Sequence, residues 1–159
     1  MIIAFDPAHN ECHYAIWCED QERLVGRGMI PRKDVQFFCK MVYETTAECT
    51  VGIVESQYVQ IARTKATMAG IAAGTLKVCK AAGNIEAIMH LHDMEVLSVH
   101  PKTWQAVFSN LKGYATPIGR VAVKKAAKRL ANEWIGKVTN QDEADAICML
   151  YWFLGKDGS

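Results

Sequence analysis

Nowhere in its 159 residues does the chain run apolar for anything near the roughly 20 positions a membrane-spanning helix requires. The N-terminus has neither the basic flank nor the cleavage site of a secretory signal, so a cytoplasmic protein with no membrane partner is expected. Paired cysteines are lacking too. The six, at 12, 18, 39, 49, 79 and 148, form no C-x-x-C and lie scattered through apolar segments. That argues against zinc ligation and a disulfide framework, and for small buried hydrophobes in a reducing compartment. Internal repeats, low-complexity tracts and glycine-rich phosphate loops are likewise missing. Net charge is almost nil at +1.

What is present suits one well-buried domain: half the residues are hydrophobic and 22% are charged. We place that domain at 1–155, with 156–159 as a short tail. The small net charge hides an uneven distribution. Between Lys102 and Lys137 eight basic residues face one acid, Glu133, a local excess of seven that leaves the remainder at −6. The stretch "GRVAVKKAAKRLANEW" is amphipathic, and Val121, Ala127, Leu130 and Trp134 are expected to face a core. Its basic residues either form a solvated face or dock a polyanion.

The apolar run "MIIAF" ends on Asp6-Pro7 and reads as a strand buried on both faces, hence central in its sheet. "CHYAIWC" and "RLVGRGMI", separated by the polar "EDQE", read as a hairpin. A helix over 32–48 follows, with Val35, Phe38, Cys39 and Val42 on one face. "TVGIV" is a second buried strand, and it ends on Glu55. A long helix over about 60–82, rich in small residues, is expected to stop at Gly83. "MEVLSV" is a third apolar strand, followed by Pro101 and a short helix through Phe108. Two helices, over about 117–134 and 141–153, close the domain. This alternation predicts an α/β fold: a five-stranded mixed sheet with helices on both faces.

The mouth of the last helix, "TNQDEADAICMLYW", carries Asp142, Glu143 and Asp145. Asn140 can cap it, Glu143 stands where a capping box wants it, and first-turn acids suit the helix dipole. Capping leaves Asp142 and Asp145 unexplained: three apart, they share a face beside the apolar stripe of Ala146, Met149 and Trp152. If the two buried strands are neighbours, Asp6 and Glu55 lie side by side at one sheet edge, and this helix can bring its acids there. Four carboxylates together would need divalent cations, and oxygen-only ligation favours Mg²⁺, with Mn²⁺ substituting. Two such ions about 4 Å apart are a device for phosphodiester hydrolysis.

At this point the chain resembles the RuvC Holliday junction resolvases of the ribonuclease H-like superfamily. "IIAFDPAHNECHYAI" is similar to that family's first strand and hairpin, and "VGIVESQY" to its second acid-bearing strand. "ARTKATMAGIAAGTLKVCKAAG" resembles its small-residue helix, "VHPKTWQAVF" its Thr-Pro segment, and "DEADAICMLYW" its Asp-x-x-Asp ending. The resemblance spans about residues 2–153, in order. It implies a single nuclease domain of ribonuclease H-like fold, with Asp6, Glu55, Asp142 and Asp145 as metal ligands and catalytic residues, and Glu143 as a capping bystander or, alternatively, a substitute for Asp142. It also implies that Tyr58 inserts at the junction point, that Arg120 is the basic residue at the start of the penultimate helix, and that products carry 5′-phosphate and 3′-hydroxyl ends. Two departures stand out. Ala8 replaces a usual glycine, and Gln105 replaces a lysine whose charge is missing or comes from Lys102. Such drift implies a divergent branch, viral among the candidates, with altered sequence preference.

The expected function is therefore a metal-dependent endonuclease that resolves four-way DNA junctions in recombination, repair or viral DNA processing. Lys102, Arg120, Lys124, Lys125, Lys128 and Arg129, with Tyr58, are expected on the DNA. A homodimer is expected, because paired incision of a symmetric substrate asks for a two-fold enzyme; Ala62, Ala66, Ala69 and Ala73 would let two helices approach. Rivals are another ribonuclease H-like nuclease acting on hybrids or flaps, and a non-catalytic binder of branched DNA. An actin-like ATPase would need a second domain and phosphate loops. His90 and His92 are read as an ordinary polar loop, His9 as inert, and the four tryptophans as core anchors. Tyr58 has a competing reading as a core residue at the start of the long helix.

Overall fold

A computed structural model describes residues 1–46, 51–56, 65–114, 117–138 and 140–155. Strands β1 (Ile2–Pro7), β2 (Glu11–Cys18), β3 (Arg23–Pro31), β4 (Val51–Glu55) and β5 (Glu95–Val99) form one sheet in the order β3-β2-β1-β4-β5. The first strand is central, as its continuous apolar run predicts. It pairs antiparallel with β2 and parallel with β4, and β5 continues the parallel half. Each edge strand is less covered: β3 alternates exposed and half-buried positions, and Val99 is the one fully buried residue of β5.

Strand alternation sorts side chains onto two helical layers. Ile3, Phe5, Cys12 and Val54 face one side, against α1 (Val35–Thr46) and α2 (Lys65–Leu91) through Val35, Phe38, Cys39, Ile85 and Met89. Gly52 belongs to this face, and any Cβ there would collide with the buried Met89 side chain. Ile2, Ala4, Ala15, Trp17 and Ile53 face the other side. There the cover is α3 (Pro101–Gln105), α4 (Val107–Asn110), α5 (Arg120–Ile135) and α6 (Gln141–Phe153).

Several boundaries differ from the expectations. The segment after β3 opens as a 3₁₀ turn, Arg32–Asp34, before α1 begins. The helix expected to stop at Gly83 continues to Leu91, because Ala81, Ala82, Ile85 and Met89 keep the apolar face going, while Gly83 sits on the open side where a Cβ would touch nothing. His90 therefore lies in the last helical turn rather than in a loop, and His92 in the turn beyond. The basic helix starts at Arg120, after a left-handed Gly119, and Val121 is exposed instead of facing the core. Ala127 and Leu130 are buried as expected, and Trp134 stacks on Trp17 with ring centroids 5.1 Å apart. Of the cysteines, 12, 18, 39 and 148 are buried and 79 is half-buried, all as free thiols. Among the described residues no helix is long and apolar enough to cross a membrane.

Candidate metal centre

The parallel pairing sets Phe5 beside Val54, so the next residue on each strand, Asp6 and Glu55, comes out at the same end of the sheet. Both continue the Ala4 and Ile53 side of the alternation and so point toward α6. Asn140 caps that helix: its Oδ1 accepts from the backbone N–H of Asp142 at 2.9 Å and of Glu143 at 3.3 Å. The helix then presents Asp142 and Asp145 to the strand tips. One oxygen from each of Asp6, Asp142 and Asp145 lies within 4.8 Å of the others. Among the described residues no histidine or cysteine joins this group.

Glu55 stands next to the three aspartates without entering their closest cluster. It is buried, and the indole Nε1 of Trp104, on α3, donates to its Oε2 at 2.8 Å. Electrostatics tie all four carboxylates together. Burial, then Glu55, Asp145 and Asp142, hold the Asp6 carboxyl well above its usual range. Burial and the neighbouring Glu55 push Asp145 up to about 7, with Lys124 opposing. An all-oxygen set of mutually repelling carboxylates, buried or half-buried at one end of the sheet, fits a hard divalent cation.

Lys124 already answers part of that repulsion. Its Nζ lies 2.9 Å from Asp142 Oδ1, which draws it from the basic face of α5 into the acidic centre. Glu143 does not complete the capping box with its side chain; it meets Arg27 Nε of β3 at 3.2 Å, away from the three aspartates. Arg129 donates to Glu133 at 2.7 Å and to the Gly113 carbonyl at 3.2 Å, and lies 4.3 Å over the Tyr114 ring. A phosphate would have to compete for it. Lys102, Arg120 and Lys125 are exposed, and Lys128 is half-buried. His9 is exposed, and Tyr58 and Ala62 lie outside the described residues.

Two residues that no local pattern marks support the centre. His13 pairs with Asp6 across β1 and β2 and is buried on the same face. Its Nε2 lies 3.2 Å from Asn140 Nδ2. Since Asn140 Oδ1 is occupied by capping, the amide nitrogen donates and Nε2 accepts, which links β2 to the start of α6. Trp104 is the core anchor its spacing predicts, edge-on against Phe108. Its second role needs the long-range closeness of α3 and the tip of β4, and no local pattern carries that.

The chain matches no model of a known protein family and no curated protein sequence. Among solved structures it is similar to Thermus thermophilus RuvC in complex with Holliday junction substrate, with TM-score 0.56 and 9% identity over 98% of this chain and 96% of that one. A second T. thermophilus RuvC structure gives TM-score 0.55 and 12% identity, over 99% of this chain and 96% of that one. The yeast mitochondrial Holliday junction resolvase Ydc2 gives TM-score 0.55 and 16% identity, over 99% of this chain and 78% of that one. The fold is thus the RuvC-like variant of the ribonuclease H-like architecture, an open five-stranded mixed sheet with helices on both faces. The residues that resemble RuvC and the structural likeness thus point to the same fold.

Proposed function

We propose that this protein is a divalent-metal-dependent endonuclease that cuts branched DNA, resolving four-way junctions by paired phosphodiester hydrolysis. The observation that carries the reading is the convergence of Asp6, Asp142 and Asp145, with Glu55 beside them, at one end of a RuvC-like sheet next to the most basic helix of the chain. Asp6, Glu55, Asp142 and Asp145 would hold Mg²⁺ or Mn²⁺. Bound there, a pair of such ions would activate water and stabilise the leaving oxygen.

The chain's own residues do the rest. Asn140, oriented by His13, fixes the first turn of α6 and with it Asp142. Trp104 donates to one oxygen of Glu55 and holds that carboxylate beside the aspartates. Lys124 neutralises Asp142 until a cation takes over, and it is then free to face a phosphate. Arg120, Lys125, Lys128 and Lys102 supply backbone contacts, with Arg129 as a further contact where phosphate displaces Glu133. Tyr58 meets the exchange point. The chain acts as a homodimer, with the stripe of Ala62, Ala66, Ala69 and Ala73 as the close-approach surface, since two incisions related by symmetry need two centres.

The test is to incubate the protein with a four-way junction, a matched duplex, a flap and an RNA–DNA hybrid, with and without Mg²⁺. Symmetric nicks in the junction, dependent on metal, are expected. Cleavage confined to the hybrid would move the protein to a ribonuclease H activity. Tight junction binding without cleavage in Mg²⁺ or Mn²⁺ would make it a non-catalytic binder.

A further inference from the structure

We propose that Ile118 and Val121 form an apolar tip that packs against a base or sugar left unstacked at the branch point of DNA; this rests on the branched-DNA reading above. Single exposed hydrophobes are ordinary on a protein surface. These two differ by degree and by place. At 91% and 84% exposed they are the barest of the large exposed hydrophobics among the described residues. They sit together at the mouth of α5. Gly119, at φ 85°, makes the left-handed turn that sets Ile118 just ahead of the helix, and Val121 follows in its first turn.

The helix connects this tip to the candidate metal centre. Val121 and Lys124 are three apart and so adjacent on one helical face, and Lys124 Nζ reaches Asp142 Oδ1 at 2.9 Å. Val121 thus lies one helical turn from the residue whose side chain reaches the carboxylates. The flanks are cationic: Arg120 stands between the two apolar residues, Lys125 is exposed, and no acid occurs from Lys102 until Glu133. An occupant must therefore offer negative charge beside an accessible apolar surface. DNA at a branch does so, with phosphates for the bases and unstacked nucleobase faces for Ile118 and Val121. In continuous duplex the same insertion would first have to unstack a base step, so the tip favours branched DNA.

Leu91, 74% exposed, provides a control. It ends α2 and leads into the start of β5, where Glu95 pairs with Val51, whereas the carboxylates lie at the Glu55–Val99 end of the same strands. The experiment compares wild type, the double variant Ile118→Thr/Val121→Thr and Leu91→Thr. The readouts are affinity for a four-way junction and for matched duplex, with Ca²⁺ replacing Mg²⁺ to hold cleavage back, and the fluorescence of 2-aminopurine placed at the exchange point. The double variant should bind the junction at least about fivefold more weakly and lose the 2-aminopurine response, with duplex affinity unchanged. Leu91→Thr should match wild type. The proposal is overturned if the double variant binds junctions as wild type does, or loses affinity for duplex and junction alike. It is also overturned if the double variant changes only the protein's mass in solution, which would assign the tip to a protein contact. A wild type with no preference for junctions would instead sink the branched-DNA reading, and the tip's role with it.

Discussion

The two helical layers rest on the same sheet and are sorted by the same strand alternation, yet they differ in kind. Behind the α1 and α2 layer lie Ile3, Phe5, Cys12, Val54, Ile85 and Met89, an apolar interior. Behind the α3–α6 layer the interior is also apolar along most of its length, until the strand tips, where Asp6, Glu55 and His13 replace hydrophobes in the same alternation. Burying carboxylates there costs stability, as the raised Asp6 and Asp145 carboxyls register. One layer holds the sheet; the other gives up some stability for a centre that can take a cation.

The largest expected effects separate the layers by activity. Asp6→Asn or Glu55→Gln should abolish metal-dependent cleavage while leaving junction binding intact or improved, because a lost carboxylate removes a ligand and lessens repulsion against phosphate. In chelator, Asp6→Asn should also melt higher than wild type. Ile85→Ala, in the opposite layer, should do the reverse: it loses roughly 2–5 kcal/mol of stability by opening a cavity but keeps its metal response as long as it is folded. If Asp6→Asn cuts at near wild-type rate, or Ile85→Ala loses metal binding while folded, the division of labour is wrong.

Next in size is the response to metal itself. Mn²⁺ or Mg²⁺ should raise the melting temperature at pH 8, and most of that gain should vanish in Asp6→Asn. The pH dependence has two opposite arms. With chelator, the folded Asp6 and Asp145 carboxyls titrate above the unfolded range, so their penalty is full above the folded values, about 7 for Asp145. It fades as pH falls toward the unfolded carboxylate range near ~4, and the metal-free protein gains stability over that window. Metal needs the ionised forms, so the Mn²⁺ increment should shrink as pH falls through about 7. Differential scanning fluorimetry across that range checks both arms.

The smallest effects lie within α5. Junction binding should weaken with salt, and neutralising Lys125 should reduce the log–log slope by about 0.9 if it contacts one phosphate of a duplex arm. Arg129→Gln should change the slope less, since Glu133 and Tyr114 already engage that guanidinium. Titrations at several salt concentrations would show equal slope changes for both residues if Arg129 were as available as Lys125.

Much of this division can be read from local pattern. An apolar run that ends on an acid marks Asp6 and Glu55 at buried strand tips, and Asn140 ahead of an acid-fronted apolar helix marks the start of α6. The parts that escaped are non-local. Glycine at 83 signals a stop, but a helix continues through glycine when the residues beyond it, Ile85 and Met89, have a core to enter. Val121 fits the apolar period of α5, yet it falls in the first turn, ahead of the half-buried Val123 and the buried Ala127 where the helix meets the core. His13 behind Asn140, Trp104 on Glu55 and Lys124 on Asp142 join residues 127, 49 and 18 positions apart, and each depends on how layers pack rather than on any periodicity.

The central claim is that the carboxylates at the strand tips form a divalent-metal centre, and the most direct measurement is calorimetric titration of Mn²⁺ into chelator-stripped protein at pH 8, wild type against Asp6→Asn. The account predicts saturable binding by the wild type that is largely lost in a variant still folded by circular dichroism; identical isotherms for the two, or no binding by either, would contradict it.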